Sequence, residues 1–150
     1  LDEILRAIVA QRDHPPAANA RALHEVAELM PRRGLVVLVS DLFQPADEVF
    51  SGLDHFRYIG HDLLVFHVLD PIERRMPLDG HVRFRDLESG EELITRAEDI
   101  RAGYEEAIDA WFRDLDDGCR GREIDRVTLT TDEPLDRALY DYLARRVNHY

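Results

Sequence analysis

The sequence predicts an α/β protein with a mostly parallel sheet, flanking helices and an inserted β-hairpin. An unbroken apolar run at residues 35–39 and a second run at 63–69, apolar except for His67, are typical of strands covered on both faces, as in a parallel sheet. The segment between them has helical periodicity, and this β–α–β spacing favours a right-handed crossover between parallel strands. The fold class is therefore α/β, with a doubly wound sheet and an inserted hairpin.

Apolar residues that recur at helical spacing predict three helices in the first half of the chain, over residues 1–11, 18–30 and 46–58. We expect each to bury one face. The residues assigned to those faces are Ile4, Leu5, Ile8, Val9, Leu23, Val26, Ala27, Met30, Val49, Phe50, Leu53 and Phe56.

The second half of the chain predicts a hairpin, a long helix, an edge strand and a final helix. Residues 82–87 and 92–95 flank a polar turn and are typical of paired antiparallel strands. A helix is predicted over 97–117, loosened at its end by Gly118 and Gly121. Residues 124–130 alternate and are more polar than the first two strands, which favours a sheet edge. A last helix over 134–147 should bury Leu135, Leu139, Tyr142 and Leu143.

Composition narrows the classes of function. The 150 residues carry 19 basic and 31 acidic side chains, for a net charge of −12, and fit one domain over residues 1–150. Such acidity disfavours binding to nucleic acid or to anionic membranes. No apolar run is long enough to span a bilayer, so we expect no membrane insertion of this segment and a cytoplasmic location. The single Cys119 excludes a disulfide framework, and we expect it to be packed as a small apolar residue.

Acidic residues follow each predicted parallel strand. Ser40 and Asp41 follow the first, Asp70 the second, and Thr131 with Asp132 the third. Because parallel strands bring these loops to one edge of the sheet, ligands are expected there. Oxygen ligands of this kind suit Mg²⁺ or Ca²⁺. The alternative, which we favour for all three acids, is that they cap helices or form turns.

The histidines do not form a recognisable catalytic motif. His24 begins an HExxH-like pattern, but Glu28 stands where the second histidine would be needed, so both are interpreted as solvated neighbours. His67 lies in a predicted buried strand and is interpreted as a hydrogen-bonded core residue. His55 and His61 flank a helix end and are expected to face water.

Four segments together resemble one bacterial family. They are residues 32–42 (RRGLVVLVSDL), 60–71 (GHDLLVFHVLDP), 83–90 (RFRDLESG) and 131–135 (TDEPL), in order along nearly the whole chain. The family is the "domain of unknown function 58", whose members contain a von Willebrand factor A-like domain. The resemblance implies a Rossmann-like von Willebrand A fold, of which this chain would be the carboxyl-terminal part, with the N-terminal strand of the full domain absent. It also implies partnership with MoxR-type AAA+ ATPases.

The resemblance implies a metal-ion-dependent adhesion site as well. Such a site draws on an Asp-x-Ser-x-Ser loop, a threonine from a second loop and an aspartate after the fourth strand. Asp41 matches the last element, but the Asp-x-Ser-x-Ser loop is absent, and the threonine position falls near Ala17 and Ala18. We therefore predict an incomplete metal site with Asp41 as its one matching ligand, and no cofactor for this chain, whereas an intact domain could bind Mg²⁺.

The sequence thus predicts a non-enzymatic protein-interaction module working through the rim formed by Ser40, Asp41, Asp70, Thr131 and Asp132. Without the first strand of the full domain, the strand at 35–39 would have an unpaired edge, which favours self-association or cover by the first helices. The alternative is a metal-dependent, phosphatase-like hydrolase with Asp41 as nucleophile. Against this alternative, the segment has no second aspartate of a DxD pair, and the chain contains no lysine.

Overall fold

The computed structural model describes residues 19–86 and 90–147. In chain order the elements are α1 (Asn19–Leu29), β1 (Leu35–Ser40), α2 (Ala46–Ile59), β2 (Asp62–Leu69), α3 (Pro71–Arg74), β3 (His81–Arg85), β4 (Glu92–Arg96), α4 (Ala97–Gly121), β5 (Asp125–Thr130) and α5 (Leu135–Val147). The helix predicted over residues 1–11 lies outside the described residues.

A parallel three-stranded sheet in the order β1-β2-β5 forms the centre of the fold. Val37 pairs with Leu64 across β1 and β2, and Phe66 pairs with Val127 across β2 and β5. The strands β3 and β4 form a separate antiparallel hairpin, as predicted. The predicted class is confirmed: helices flank a parallel sheet, a hairpin is inserted, and the arrangement is consistent with a Rossmann-like fold.

The main core lies between the sheet and the helices α1, α2 and α4. The four apolar residues predicted for the inner face of α2 are all buried: Val49, Phe50, Leu53 and Phe56. The helix α2 ends at Gly60, whose φ of 99° is a left-handed conformation that costs little without a Cβ. The chain can therefore reverse directly into β2, whose residues from Leu63 to Phe66 are buried.

The helix α4 is longer than predicted because Gly118 has a packing role within it. It continues through Gly118 to Gly121, where the sequence predicted a loosened end. A Cβ on Gly118 would lie 2.1 Å from the ring of Phe50. The glycine therefore allows α4 to pass close to α2, and this tertiary contact outweighs its low helix propensity.

Predictions of burial were wrong in three elements, β1, α1 and α5. The strand β1 alternates between exposed and half-buried residues, with Leu35, Val37 and Val39 exposed by 52%, 46% and 64%. Within the described residues β1 is an edge strand. Its second face is also less covered than the apolar run predicted, because Val37 and Val39 line an open groove. Val26 in α1, and Leu135 and Leu143 in α5, were predicted to be buried but are exposed, whereas Tyr142 is buried as predicted. Across residues 19–86 and 90–147, no helix combines the length and apolarity needed to cross a membrane.

Candidate functional site

The carboxyl ends of the three parallel strands meet at one edge of the sheet, where they border a shallow depression. Its polar wall contains Ser40, Asp41, Asp70, Glu73 and Thr131. Thr131 donates its hydroxyl to Asp70 Oδ2 over 3.0 Å and its backbone N–H to the carbonyl of Leu69. These bonds join the loop after β5 to the loop after β2. Four of the five rim residues predicted from the sequence therefore lie together.

The fifth rim residue, Asp132, is exposed and does not line this depression. It follows Thr131 in the turn before α5. Its carboxylate adds negative charge to the same end of the molecule.

The loop after β1 is a strained turn that uses the side chains of Ser40 and Asp41. Ser40 Oγ accepts the N–H of Leu42 at 3.1 Å, and Asp41 Oδ1 accepts the N–H of Phe43 at 3.3 Å. Leu42 adopts a φ of 56°, a left-handed conformation that is uncommon for a residue with a Cβ. Its side chain is buried in the core, and this burial holds the strained backbone in place.

Asp70 is the N-cap of α3, as favoured from the sequence. Its Oδ1 accepts a hydrogen bond from the N–H of Ile72 at 2.9 Å, and Glu73 Oε2 accepts one from the N–H of Asp70 at 2.7 Å. This reciprocal pair is a capping box, which satisfies two backbone donors that the helix would otherwise leave free.

The carboxylates of the rim and of the neighbouring Glu73 have a structural role in these loops. One oxygen of Asp41, both of Asp70 and one of Glu73 already accept hydrogen bonds from within these loops. Over the part of the chain that the structure describes, no group of three or more His, Cys, Asp or Glu side chains is arranged to hold a metal ion. Asp41 could contribute at most one such ligand from this loop.

Sequence reasoning missed the residue that anchors Asp41. His67 is fully buried in β2, as predicted, and its Nε2 lies 2.9 Å from the carbonyl oxygen of Asp41. Its Nδ1 lies 2.7 Å from Nη1 of Arg126, and because a guanidinium can only donate, Nδ1 must be the acceptor and Nε2 must carry the proton. His67 therefore fixes the β1 loop from inside the core in its neutral form.

Burial and the neighbouring charge keep His67 neutral. Desolvation, followed by the positive charge of Arg126, lowers its pKa from 6.5 to about 4. The side chain of Arg126 is only 7% exposed and forms an ion pair with Asp116 on α4. The rings of Trp111 and Phe112 pack against the imidazole. The alternating pattern of β5 indicated an edge strand, but it gave no sign that Arg126 points inward.

An apolar groove adjoins the rim on the side of α5. Its volume is about 460 Å³, and its apolar lining consists of Val37, Val39, Phe66, Val68, Leu129, Leu135 and Leu139. Glu133, Thr130 and Thr131 lie at its end nearest the rim. The exposed face of β1 and the acidic rim therefore belong to one continuous surface.

His61 contradicts its prediction. It was expected to face water but is fully buried, and its Nε2 donates to the carbonyl of Met30 at 2.9 Å. The ring also packs edge-on against Phe56. His61 therefore ties the segment after α1 to the end of α2. Cys119 is buried as expected, and burial raises the pKa of its thiol.

The fold and the rim define a class of protein: a mixed α/β domain with a parallel sheet, whose strand ends are closed by turns and a helix cap. The chain belongs to the family described as "Protein of unknown function DUF58", whose model matches residues 1–111. No curated protein and no solved structure gives a significant match.

Proposed function

We propose that this chain is a non-enzymatic protein-interaction module of von Willebrand factor A-like type, which docks a protein partner along β1 and the acidic rim. The observation that carries the proposal is the open apolar surface of β1. Val37 and Val39 are exposed beside the groove under α5. Contiguous apolar surface of this kind, bordered by polar residues, is typical of interaction sites.

The edge of β1 supplies backbone groups as well as side chains. Within residues 19–86 and 90–147, β1 pairs with β2 on one side and with no strand on the other. An extended segment of a partner can add to such an edge through main-chain hydrogen bonds, while alternate apolar side chains enter the groove. The occupant that we propose is therefore an extended segment with alternating apolar residues.

Charge favours a basic partner over a second copy of this chain. The rim contributes Asp41, Asp70 and Asp132, Glu73 lies beside it, and the whole chain carries a net charge of −12. Two such chains repel each other, whereas basic residues flanking the docked segment would complement the rim. The partner proposed from the family resemblance is a MoxR-type AAA+ ATPase, and we propose a cytoplasmic setting for the interaction.

The geometry does not favour the phosphatase-like alternative. The Asp41 carboxylate accepts the N–H of Phe43 within its own turn, which is a structural use of the group expected to act as nucleophile. The chain contains no lysine that could bind a phosphoryl group.

The proposal is tested by measuring the affinity of the chain for a purified MoxR-type ATPase from the same organism. We expect saturable binding that Val39→Arg weakens about tenfold or more, since it places a charge in the apolar surface. Leu29→Arg is the matched control, because Leu29 is an exposed apolar residue on α1, away from the groove. It should leave the affinity unchanged.

Three results would overturn the proposal. The first is the absence of binding, and the second is an equal effect of the two arginine variants. The third comes from sedimentation velocity: a dimer of the wild-type chain that Val39→Arg dissociates would assign β1 to a second copy.

A further inference from the structure

Two histidines on neighbouring helices face each other through their Nδ1 atoms. His24 lies on α1 and His55 on α2, and their Nδ1 atoms are 3.0 Å apart. The ring centroids are 5.2 Å apart, with the planes tilted by 43°. Both residues are half-buried, so solvent ions can reach the pair.

Close packing of the two helices holds these rings in place. A Cβ on Gly52 of α2 would lie only 2.7 Å from Cδ1 of Leu23 on α1, so the glycine permits the close approach. Leu23 precedes His24, and Gly52 lies one turn before His55. The backbone positions of the two histidines are therefore set by a contact beside them.

The contact between the two Nδ1 atoms holds one proton, and a metal ion could take the place of that proton. A contact between two Nδ1 atoms at 3.0 Å requires one proton between them, because each neutral imidazole nitrogen either donates or accepts. If His24 carries that proton, its Nε2 accepts the hydroxyl of Ser51, which lies 3.3 Å away. When that proton moves to Nε2 of His24, the Nδ1 lone pair of each ring is directed at the space between the rings.

The distance between the two nitrogens is close to what a metal ion requires. Zinc–nitrogen bonds are about 2.0–2.1 Å long, so two ligands at a tetrahedral angle lie about 3.4 Å apart. The observed separation of 3.0 Å reaches that value through small rotations of the rings. Imidazole suits Zn²⁺, Cu²⁺ and Ni²⁺ in particular, and the excess of acidic residues in the chain favours cation binding.

A Ser–His–His nucleophile is the competing interpretation of the same residues. Ser51, His24 and His55 form a chain of contacts that resembles a nucleophile with its base. However, Ser51 lies in the middle of α2, where the backbone N–H groups are bonded within the helix. They cannot form an oxyanion hole, so acyl transfer lacks its stabilising group.

We propose that His24 and His55 form a two-histidine site for a divalent transition-metal ion such as Zn²⁺, which clips α1 to α2. Water completes the coordination sphere. Each imidazole binds the ion through the lone pair of Nδ1 and stays neutral with its proton on Nε2. The shared proton therefore moves through solvent to Nε2 of His24, which then donates to Ser51 Oγ. Because protons compete with the ion for the same lone pairs, binding weakens in acid.

The test is calorimetric titration of the full chain with Zn²⁺ alone, near neutral pH. We expect one ion per chain, and a rise in Tm of about 5 °C when the ion is in large excess over its Kd. His24→Asn and His55→Asn should each abolish both effects. His81→Asn is the matched control, since His81 is exposed on β3, and it should bind like the wild type.

Nuclear magnetic resonance of the wild-type chain decides the outcome even where a variant unfolds. Of the seven histidines, the assigned imidazole nitrogens of His24 and His55 should shift on addition of Zn²⁺. The proposal is overturned by an absence of saturable binding, by binding that survives in both asparagine variants, or by shifts confined to other histidines.

Discussion

Acid should destabilise this protein between about pH 6.5 and pH 4 through His67 in particular. The folded state keeps this imidazole neutral because it is buried and lies beside the positive charge of Arg126, which together lower its pKa to about 4. In the unfolded chain the same group titrates near its ordinary value of 6.5. Between these two values the unfolded state binds a proton that the folded state does not, so stability falls as the pH falls.

The magnitude follows from the two pKa values. At about pH 5 the unfolded histidine is almost fully protonated and the folded one almost fully neutral, which costs about 2 kcal/mol relative to about pH 7. The loss grows to about 3 kcal/mol near pH 4 and then levels off, since below that pH the folded state also binds the proton. This is a large share of the free energy of unfolding of a typical domain, about 5–15 kcal/mol.

The assay is urea unfolding of the wild type and of His67→Gln at about pH 7 and at about pH 5. Glutamine keeps an N–H for the carbonyl of Asp41 and an oxygen for Arg126, but it does not titrate. We expect the variant to be less stable at neutral pH, because it loses packing against Trp111, yet to lose about 2 kcal/mol less than the wild type on acidification. His81→Gln, an exposed control, should follow the wild-type profile. Equal losses in the wild type and His67→Gln would refute the assignment of the neutral form to the folded state.

Four further measurements test other parts of the structure. Gly118→Ala should lower the free energy of unfolding by about 1–3 kcal/mol, because its methyl group would meet the ring of Phe50; a neutral result in urea titration would contradict the close packing of α4 on α2. Glu123→Gly should stabilise the protein by about 0.5–1 kcal/mol, since a φ of 54° just after α4 suits glycine, and a lower Tm would argue against that backbone conformation. Cys119 should react with an aromatic disulfide reagent only as fast as the chain opens, because it is buried and its thiol pKa is raised; rapid labelling of the folded chain would refute this. Calorimetry with Mg²⁺ should show no saturation at micromolar concentrations, and tight binding lost in Asp41→Asn would overturn the incomplete site.

The apolar runs, the helical periodicity and the positions of glycine and proline predicted every described helix and strand except the short helix α3. These signals are local, since each depends on residues a few positions apart. They place β2, α2 and the hairpin within one or two residues of their observed bounds. The parallel arrangement then brings Asp41, Asp70 and Thr131 to one edge, because the right-handed crossover leaves little choice of topology.

Which residues are buried was decided by packing partners that are distant in the sequence. The apolar run of β1 predicts a strand, but whether its second face is covered depends on which elements reach it, and here Val37 and Val39 stay exposed. His61 is polar and near a helix end, yet the carbonyl of Met30 gives it a buried partner. In each case the local sequence pattern predicts the element, whereas burial depends on which residues pack against it.

In the candidate site too, local features followed from the sequence, whereas contacts between distant residues did not. An aspartate after a strand indicates a turn or cap, and the sequence alone determined that much for Asp41 and Asp70. That His67 holds the Asp41 loop, and that His24 meets His55 across two helices, follows from contacts between residues 26 and 31 positions apart. Such pairings are set by how the helices and strands pack, since the energy of a buried hydrogen bond depends on geometry that the linear sequence does not contain.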